Sequence, residues 1–135
     1  MKIYFSGSMT FNHDKAKFYK MLIDLLNNYG KVLNEFVGDE KIVNYDPKLI
    51  FVFFSNTLAN SDLLVADISY PSLGVGFELG YYLQFNKPLL VLYDKKLPLP
   101  SASGLGLPNS TIYGYENELD AKMKVKKFME EVKNG

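Results

Sequence analysis

Two apolar runs, DLLVADIS (62–69) and KPLLVLYD (87–94), flank the stretch GVGFELGYYLQFN. Neither run alternates polar with apolar residues, so each predicts a strand buried on both faces, while the stretch between them reads as a helix. A strand, a crossover helix and a second strand make a parallel pair, which admits few folds. The other segments fit the same scheme. KIYFSG is a β-prone run ending in a turn at Gly7, and KVLNEF is a candidate second strand. From Asn12 to Tyr29, Phe18, Met21, Leu22, Leu25, Leu26 and Tyr29 recur at helical spacing, with Gly30 as the stop. YDPKLIFVFFSNTLANSD could be strand or helix; Pro47 suits a first helical turn, and a helix supplies the crossover that DLLVADIS needs. TIYGYE is a weak last strand. The tail from Glu116 is an amphipathic helix with Leu119, Met123 and Phe128 on its apolar side. The expected fold is α/β: a doubly wound, mostly parallel sheet of about five strands with helices on both faces, in a Rossmann-like or flavodoxin-like three-layer arrangement.

The totals narrow the function. A chain of 135 residues suits one domain, expected over 1–135. Lys+Arg and Asp+Glu are both 15, so no charge excess exists to hold a polyanion, and nucleic acid is not an expected partner. Cysteine is absent, which removes disulfides, thiolate zinc sites and cysteine nucleophiles. No His/Asp cluster has metal-ligand spacing, and no metal or cofactor is expected. The N-terminus MKIYFSGSM lacks a long apolar segment, and no apolar run approaches the ~20 residues that span a bilayer. A cytoplasmic protein without a membrane partner is the expectation.

In a doubly wound sheet, ligands bind beyond the C-terminal strand ends, here the SGSM and SYPSLGVG loops. GVGFELG spaces its glycines as G-x-G-x-x-x-G, one residue too long for the dinucleotide fingerprint, and no P-loop pattern occurs. Gly74 and Gly76 still expose backbone N–H groups at a predicted helix start, with the Ser72 hydroxyl beside them. That pattern suits a phosphate or sugar cradle; composition alone favours an ordinary strand-to-helix turn with a serine cap. Glu78 would sit in the first turns of this helix, with Tyr4 and Ser8 flanking the first loop.

IYFSGSM together with DLLVADISYPSLGVGFELGYYLQFNKPLLVLY resembles the nucleoside 2-deoxyribosyltransferase superfamily, most closely its 2′-deoxynucleoside 5′-phosphate N-hydrolase branch. The resemblance runs from the first strand to Tyr93 and more loosely into PSASGLG. It implies that Glu78 is the nucleophile at the anomeric carbon of a deoxyribose and that Tyr4 positions it. Gly7, Ser8 and Met9 then form the first ligand loop, while Ser72 and Gly74 bind phosphate. Transferases that use unphosphorylated nucleosides carry an acid where Ser72 stands, so the resemblance points to a nucleoside 5′-monophosphate substrate. It also implies a homodimer with shared sites, in which Ser101 of one subunit completes the phosphate site of the other. FVFF is a candidate interface segment.

The sequence departs from this pattern at two positions. Phe54 stands where the hydrolases carry an aspartate that protonates the departing base, and Thr10 stands where an arginine often follows the first loop. His13, Asp67, Asp46 and Asn56 are the candidates to supply a proton, with Asp67 read first as a structural or hydrogen-bonding group and only second as a replacement acid. Three readings follow: a nucleotide N-glycosidase, a nucleotide-binding relative that has lost catalysis, and a deoxyribosyltransferase, the last disfavoured by Ser72.

Overall fold

The structure is a computed structural model that describes residues 1–8, 15–35 and 46–135. Its elements are β1 (Lys2–Gly7), α1 (Lys15–Leu26), β2 (Lys31–Val32), α2 (Pro47–Ala59), β3 (Leu63–Asp67), α3 (Leu73–Tyr82), β4 (Leu89–Asp94), α4 (Ala102–Leu105), β5 (Thr111–Tyr115) and α5 (Glu118–Asn134). The five strands form one sheet in the order β2-β1-β3-β4-β5. All four pairings are parallel. The order reverses between β1 and β3, which makes their C-terminal ends the topological switch point.

Strand alternation sorts the core into two layers. Ile3, Phe5, Leu63, Val65, Leu90 and Leu92 pack against Phe18, Leu22 and Leu26 of α1 and Val125 and Phe128 of α5. Tyr4, Leu64, Ala66, Leu89 and Val91 face the other way, against Leu58 of α2 and Val75, Leu79 and Tyr82 of α3. Every residue of β3 is buried, as its unbroken apolar run requires.

The ambiguous segment before β3 is helical. The Asp46 side chain accepts from Lys48 N–H at 2.9 Å and Pro47 opens the first turn of α2. Ser72 caps α3 by accepting from Val75 N–H at 3.3 Å. A single 3₁₀ turn, Leu83–Phe85, follows α3 and ends at Asn86 in the left-handed conformation.

Four details depart from the sequence expectation. β2 stops at Val32, short of the KVLNEF segment that could form it, and the buried Asn34 amide takes over both Phe5 backbone groups: its Oδ1 accepts from Phe5 N–H at 2.9 Å and its Nδ2 donates to Phe5 C=O. Gly30 is not a left-handed cap, since no described glycine has a positive φ; a side chain there would collide with the Met1 carbonyl. The buried face of α1 also includes Tyr19 and Ile23, with Met21, Leu25 and Tyr29 at its margin. On α5 the buried stripe is Ala121, Val125, Phe128 and Met129, and Leu119 and Met123 are exposed. Of the three residues expected on its apolar side, only Phe128 lies against the core.

Asn34→Ala strands the Phe5 N–H and C=O in the core. It should destabilise the protein by about 2–4 kcal/mol, read as a lowered urea midpoint at unchanged slope.

Candidate active site

Strand β1 presents residues two apart on one face, so Tyr4 and Ser6 both point toward the α2/α3 layer. Both are buried. From the opposite side, the second turn of α3 brings Glu78, a half-buried residue whose carboxyl group is enclosed. The hydroxyls of Tyr4 and Ser6 close no hydrogen bond with another described group, and both lie near enough to this carboxyl to influence its ionisation. Burial lifts the Glu78 pKa from the usual 4.5 to about 7, with the Tyr4 and then the Ser6 hydroxyl working in the opposite direction. The Tyr4 phenol is held far above its ordinary pKa, first by burial and then by the neighbouring carboxylate. It therefore stays protonated and keeps a hydrogen to donate. No charged side chain among the described residues contributes to the Glu78 balance.

Phe54 of α2 meets this group. Its ring packs edge-on against Tyr4, with centroids 6.1 Å apart and an interplanar angle of 73°. The position that lacks an acid is thus an aromatic wall beside the tyrosine, and Phe53 packs against Phe54 at 5.5 Å. Asp46 is occupied as the cap of α2, and Asn56 is exposed on that helix.

Asp67, at the end of β3, is fully buried and its oxygens are taken. Tyr115 OH donates to Oδ2 at 2.7 Å, while Tyr19 OH at 3.1 Å and Ser69 N–H at 2.9 Å donate to Oδ1. Burial raises its pKa, and the Tyr115 and Ser69 donors and then the Lys15 charge oppose that rise. Ser69 Oγ in turn accepts from Asp94 N–H at 2.9 Å and contacts Tyr115 OH at 3.2 Å. Asp94 pairs with Lys15 at 3.0 Å. Asp67 therefore anchors the start of the SYPSLGVG loop from inside.

The remaining candidates are distributed around α3. Gly7 is paired with Asp67 across the β1/β3 ladder, and a Cβ there would come within 2.7 Å of the Tyr19 ring. Ser8 is buried beside the first loop. Met9, Thr10 and His13 lie outside the described residues. Gly74 is exposed and open around its α-carbon. Ser101 caps α4 by accepting from Ser103 N–H at 3.3 Å. Ser72 and Ser101 line one groove of about 590 Å³ together with Gly76, Gly80, Leu97 and Leu99 of the same chain. Glu78 is not among its lining residues: at 100° per residue, Gly76 and Gly80 face one flank of α3 and Glu78 the other.

Sequence reasoning missed Ser6, Tyr19 and Tyr115. Ser6 was accessible through the strand period, being two residues from Tyr4; nothing local marks the two tyrosines as partners of Asp67. Among the described residues no group of three or more His, Asp or Glu is placed to hold a metal ion. Nor is any described helix long and apolar enough to cross a membrane.

The sequence pattern of the family described as Nucleoside 2-deoxyribosyltransferase matches residues 3–132. A putative 2′-deoxynucleoside 5′-phosphate N-hydrolase 1 of Nematostella vectensis is 44% identical over 98 residues, 68% of this chain and 67% of its own length. A 5-hydroxymethyl-dUMP N-hydrolase of Tetraodon nigroviridis is 34% identical over 99 residues, 69% of this chain and 70% of its own. Among solved structures, a Clostridium botulinum CMP N-glycosidase superposes with a TM-score of 0.74, covering 95% of this chain and 99% of that one. At 18% identity this last likeness speaks for the fold alone. With nearly its whole length matched, the chain belongs to the nucleoside 2-deoxyribosyltransferase family.

Proposed function

We propose that this protein hydrolyses the N-glycosidic bond of 2′-deoxynucleoside 5′-monophosphates, releasing free base and sugar 5-phosphate. The observation that carries this reading is the enclosed Glu78 carboxyl facing the Tyr4 and Ser6 hydroxyls at the β1/β3 switch point. Relatives named as 2′-deoxynucleoside 5′-phosphate N-hydrolases support the substrate class. One Glu78 oxygen bonds to the anomeric carbon as the carbon–nitrogen bond breaks, and its electron pair stays with the base. Water then attacks the same carbon, the carboxylate leaves, and the proton from water balances the charge on the base. Ser72, whose oxygen already caps α3, retains a hydrogen to donate to a phosphate, and the helix start with exposed Gly74 favours the same anion. Gly7, Ser8 and Met9 border the sugar in this reading. Asp67 holds the loop that carries Ser72.

A second reading is favoured by Phe54, which packs against Tyr4 and stands at the sequence position where the resemblance implies an acid. In that reading the chain binds nucleotides without turnover. The two separate in a chromatographic assay over ribo- and deoxyribonucleoside 5′-monophosphates. The glycosidase releases base, and Glu78→Ala lowers the rate on the order of 10³-fold or more. Saturable binding with no release by wild type at high enzyme concentration would leave only the binder.

The Glu78 ionisation sets two further outcomes. Because only the carboxylate attacks, kcat/KM should climb with pH through about 7. A carboxyl whose folded pKa is raised stabilises the fold below its unfolded value of 4.5 and loses that contribution as pH rises through about 7. The non-titrating Glu78→Gln should therefore exceed wild type in stability at pH 8, by about 1–3 kcal/mol, and match it near pH 4. Urea titrations at the two pH values check this.

We also assign the protein to the cytoplasm and to a homodimer. Leu49, Phe51, Val52 and Phe53 of α2 and Leu73, Phe77 and Tyr81 of α3 are exposed, with Phe51 at 69% and Phe77 at 68%. Two adjacent helices exposing this much apolar surface suit burial against a second copy. In such a dimer the Ser101 loop of one protomer completes the phosphate site of its partner. Phe77→Lys should convert the dimer to monomer in analytical ultracentrifugation.

A further inference from the structure

We infer that Asp94, the last residue of β4, is a positioning residue that ties both walls of the Ser72/Ser101 groove to each other and to the start of α1. For its effect on phosphate affinity this rests on the nucleotide reading above, whereas the ties themselves are hydrogen bonds of the fold.

Three separate segments meet at this residue. Its backbone N–H donates to Ser69 Oγ at 2.9 Å, in the loop that leads from β3 to Ser72. Strand β3 has ended at Asp67, so a side-chain oxygen takes the place of a further strand carbonyl. Asp94 Oδ1 accepts from Lys96 N–H at 2.9 Å, which turns the chain out of β4 into the loop that reaches Ser101. The Asp94 carbonyl accepts from Leu97 N–H at 3.2 Å and closes the same turn. Asp94 Oδ2 accepts from Lys15 Nζ at 3.0 Å, 79 residues away at the first position of α1.

The groove walls start from these contacts. The segment from Ser69 to Ser72 lines one side and the segment from Leu97 to Ser101 the other, with Asp94 bonded at the root of each. A local turn would be served as well by asparagine, but the third tie needs a charge. The Lys15–Asp94 pair is sheltered, with 13% and 17% of the two side chains exposed. Lys15 also lies over the Phe18 and Tyr115 rings, 5.0 and 5.1 Å from their centroids. A pair whose partners are both held elsewhere keeps its geometry, unlike a surface pair of two free-swinging side chains. Burial pushes the Asp94 pKa up, but the Lys96 N–H and Lys15 outweigh it and hold the carboxyl below its ordinary value. The tie is therefore charged at neutral pH. Glu78 faces the other flank of α3, so loosening Asp94 acts on the phosphate side of the site and not on the nucleophile.

The test compares wild type with Asp94→Ala, with Asp94→Asn, which keeps an acceptor for Lys96 N–H and loses the charge, with Lys15→Met, and with the double variant Lys15→Met/Asp94→Asn. The probe is 2′-deoxyribose 5-phosphate, whose affinity is read by isothermal titration calorimetry without any contribution from a base. Its Kd should weaken roughly 10-fold in Asp94→Ala and roughly 3-fold in Asp94→Asn. Lys15→Met should match Asp94→Asn, and the double variant should be no weaker than either, because each removes the same tie. In base release from nucleotides, KM should rise by the same factors while kcat stays within about 2-fold of wild type. Amide exchange read by mass spectrometry follows the ties without a ligand: residues 69–72 and 96–101 should exchange faster together in Asp94→Ala, with β1 and β3 unchanged. Faster exchange at residues 96–97 only assigns Asp94 a local turn role and overturns the inference. An unchanged Kd in folded Asp94→Ala, or a loss carried by kcat with KM unmoved, likewise overturns it. If wild type binds the sugar phosphate but releases no base, the glycosidase reading fails instead, and Kd and exchange still decide the role of Asp94.

Discussion

Asp67 ends β3 with its carboxylate sealed from water, and it accepts hydrogen bonds from Tyr19 on α1, Tyr115 on β5 and the Ser69 N–H of the loop that follows. A buried carboxylate is tolerated only when its lone pairs are met, so these donors cannot separate without a large penalty. The two tyrosines arrive from distant parts of the chain, and their phenols are pushed well above the ordinary pKa by burial and by the Asp67 charge. They are permanent donors at any physiological pH. Ser69 passes the connection on to β4 through Asp94 N–H. The loop leading to Ser72 and α3 therefore leaves the sheet from a fixed point, and the position of Glu78 descends from it.

The site contains a second enclosed carboxyl that is satisfied much less completely. Burial lifts the Glu78 pKa to about 7 against the opposing Tyr4 and Ser6 hydroxyls, and the Phe54 ring packs on Tyr4. The two acids differ in their surroundings: Asp67 is met by donors on both oxygens, while Glu78, the nucleophile on the proposed reading, is met by few. Phe54 sharpens the difference by excluding water from one side of Tyr4 without offering a proton. Bases that depart as stabilised anions suit such a site better than bases that must first be protonated.

Much of this organisation is legible in the sequence. The unbroken apolar runs at β3 and β4 and the glycine-rich turn between them imply the parallel pair and its crossover. The Ser72 cap and the Glu78 position follow from the same stretch. Features that depend on distant residues were not readable. The early end of β2 comes from the Asn34 side chain substituting for a strand, and Gly30 is small because Met1 passes beside it. On α5 the expected apolar side holds at Phe128 but not at Leu119 and Met123, because the stripe that meets the sheet runs through Ala121, Val125, Phe128 and Met129. The strand end marks Asp67 as a structural or hydrogen-bonding group, but its partners Tyr19 and Tyr115 are ones that only the fold brings near.

Helix α3 carries different tasks on different sides of one rigid cylinder. Ser72 stands at its start and Glu78 six positions on, a rise of about 9 Å, with the glutamate side chain leaning back toward the start. On the proposed reading this makes α3 a ruler between phosphate and anomeric carbon. Its length is set by hydrogen bonds of the backbone and does not adapt to the ligand. A sugar without a phosphate leaves one end of the ruler empty, and a diphosphate overruns it. Selection by chain length is then a property of the helix itself, independent of which base the substrate carries.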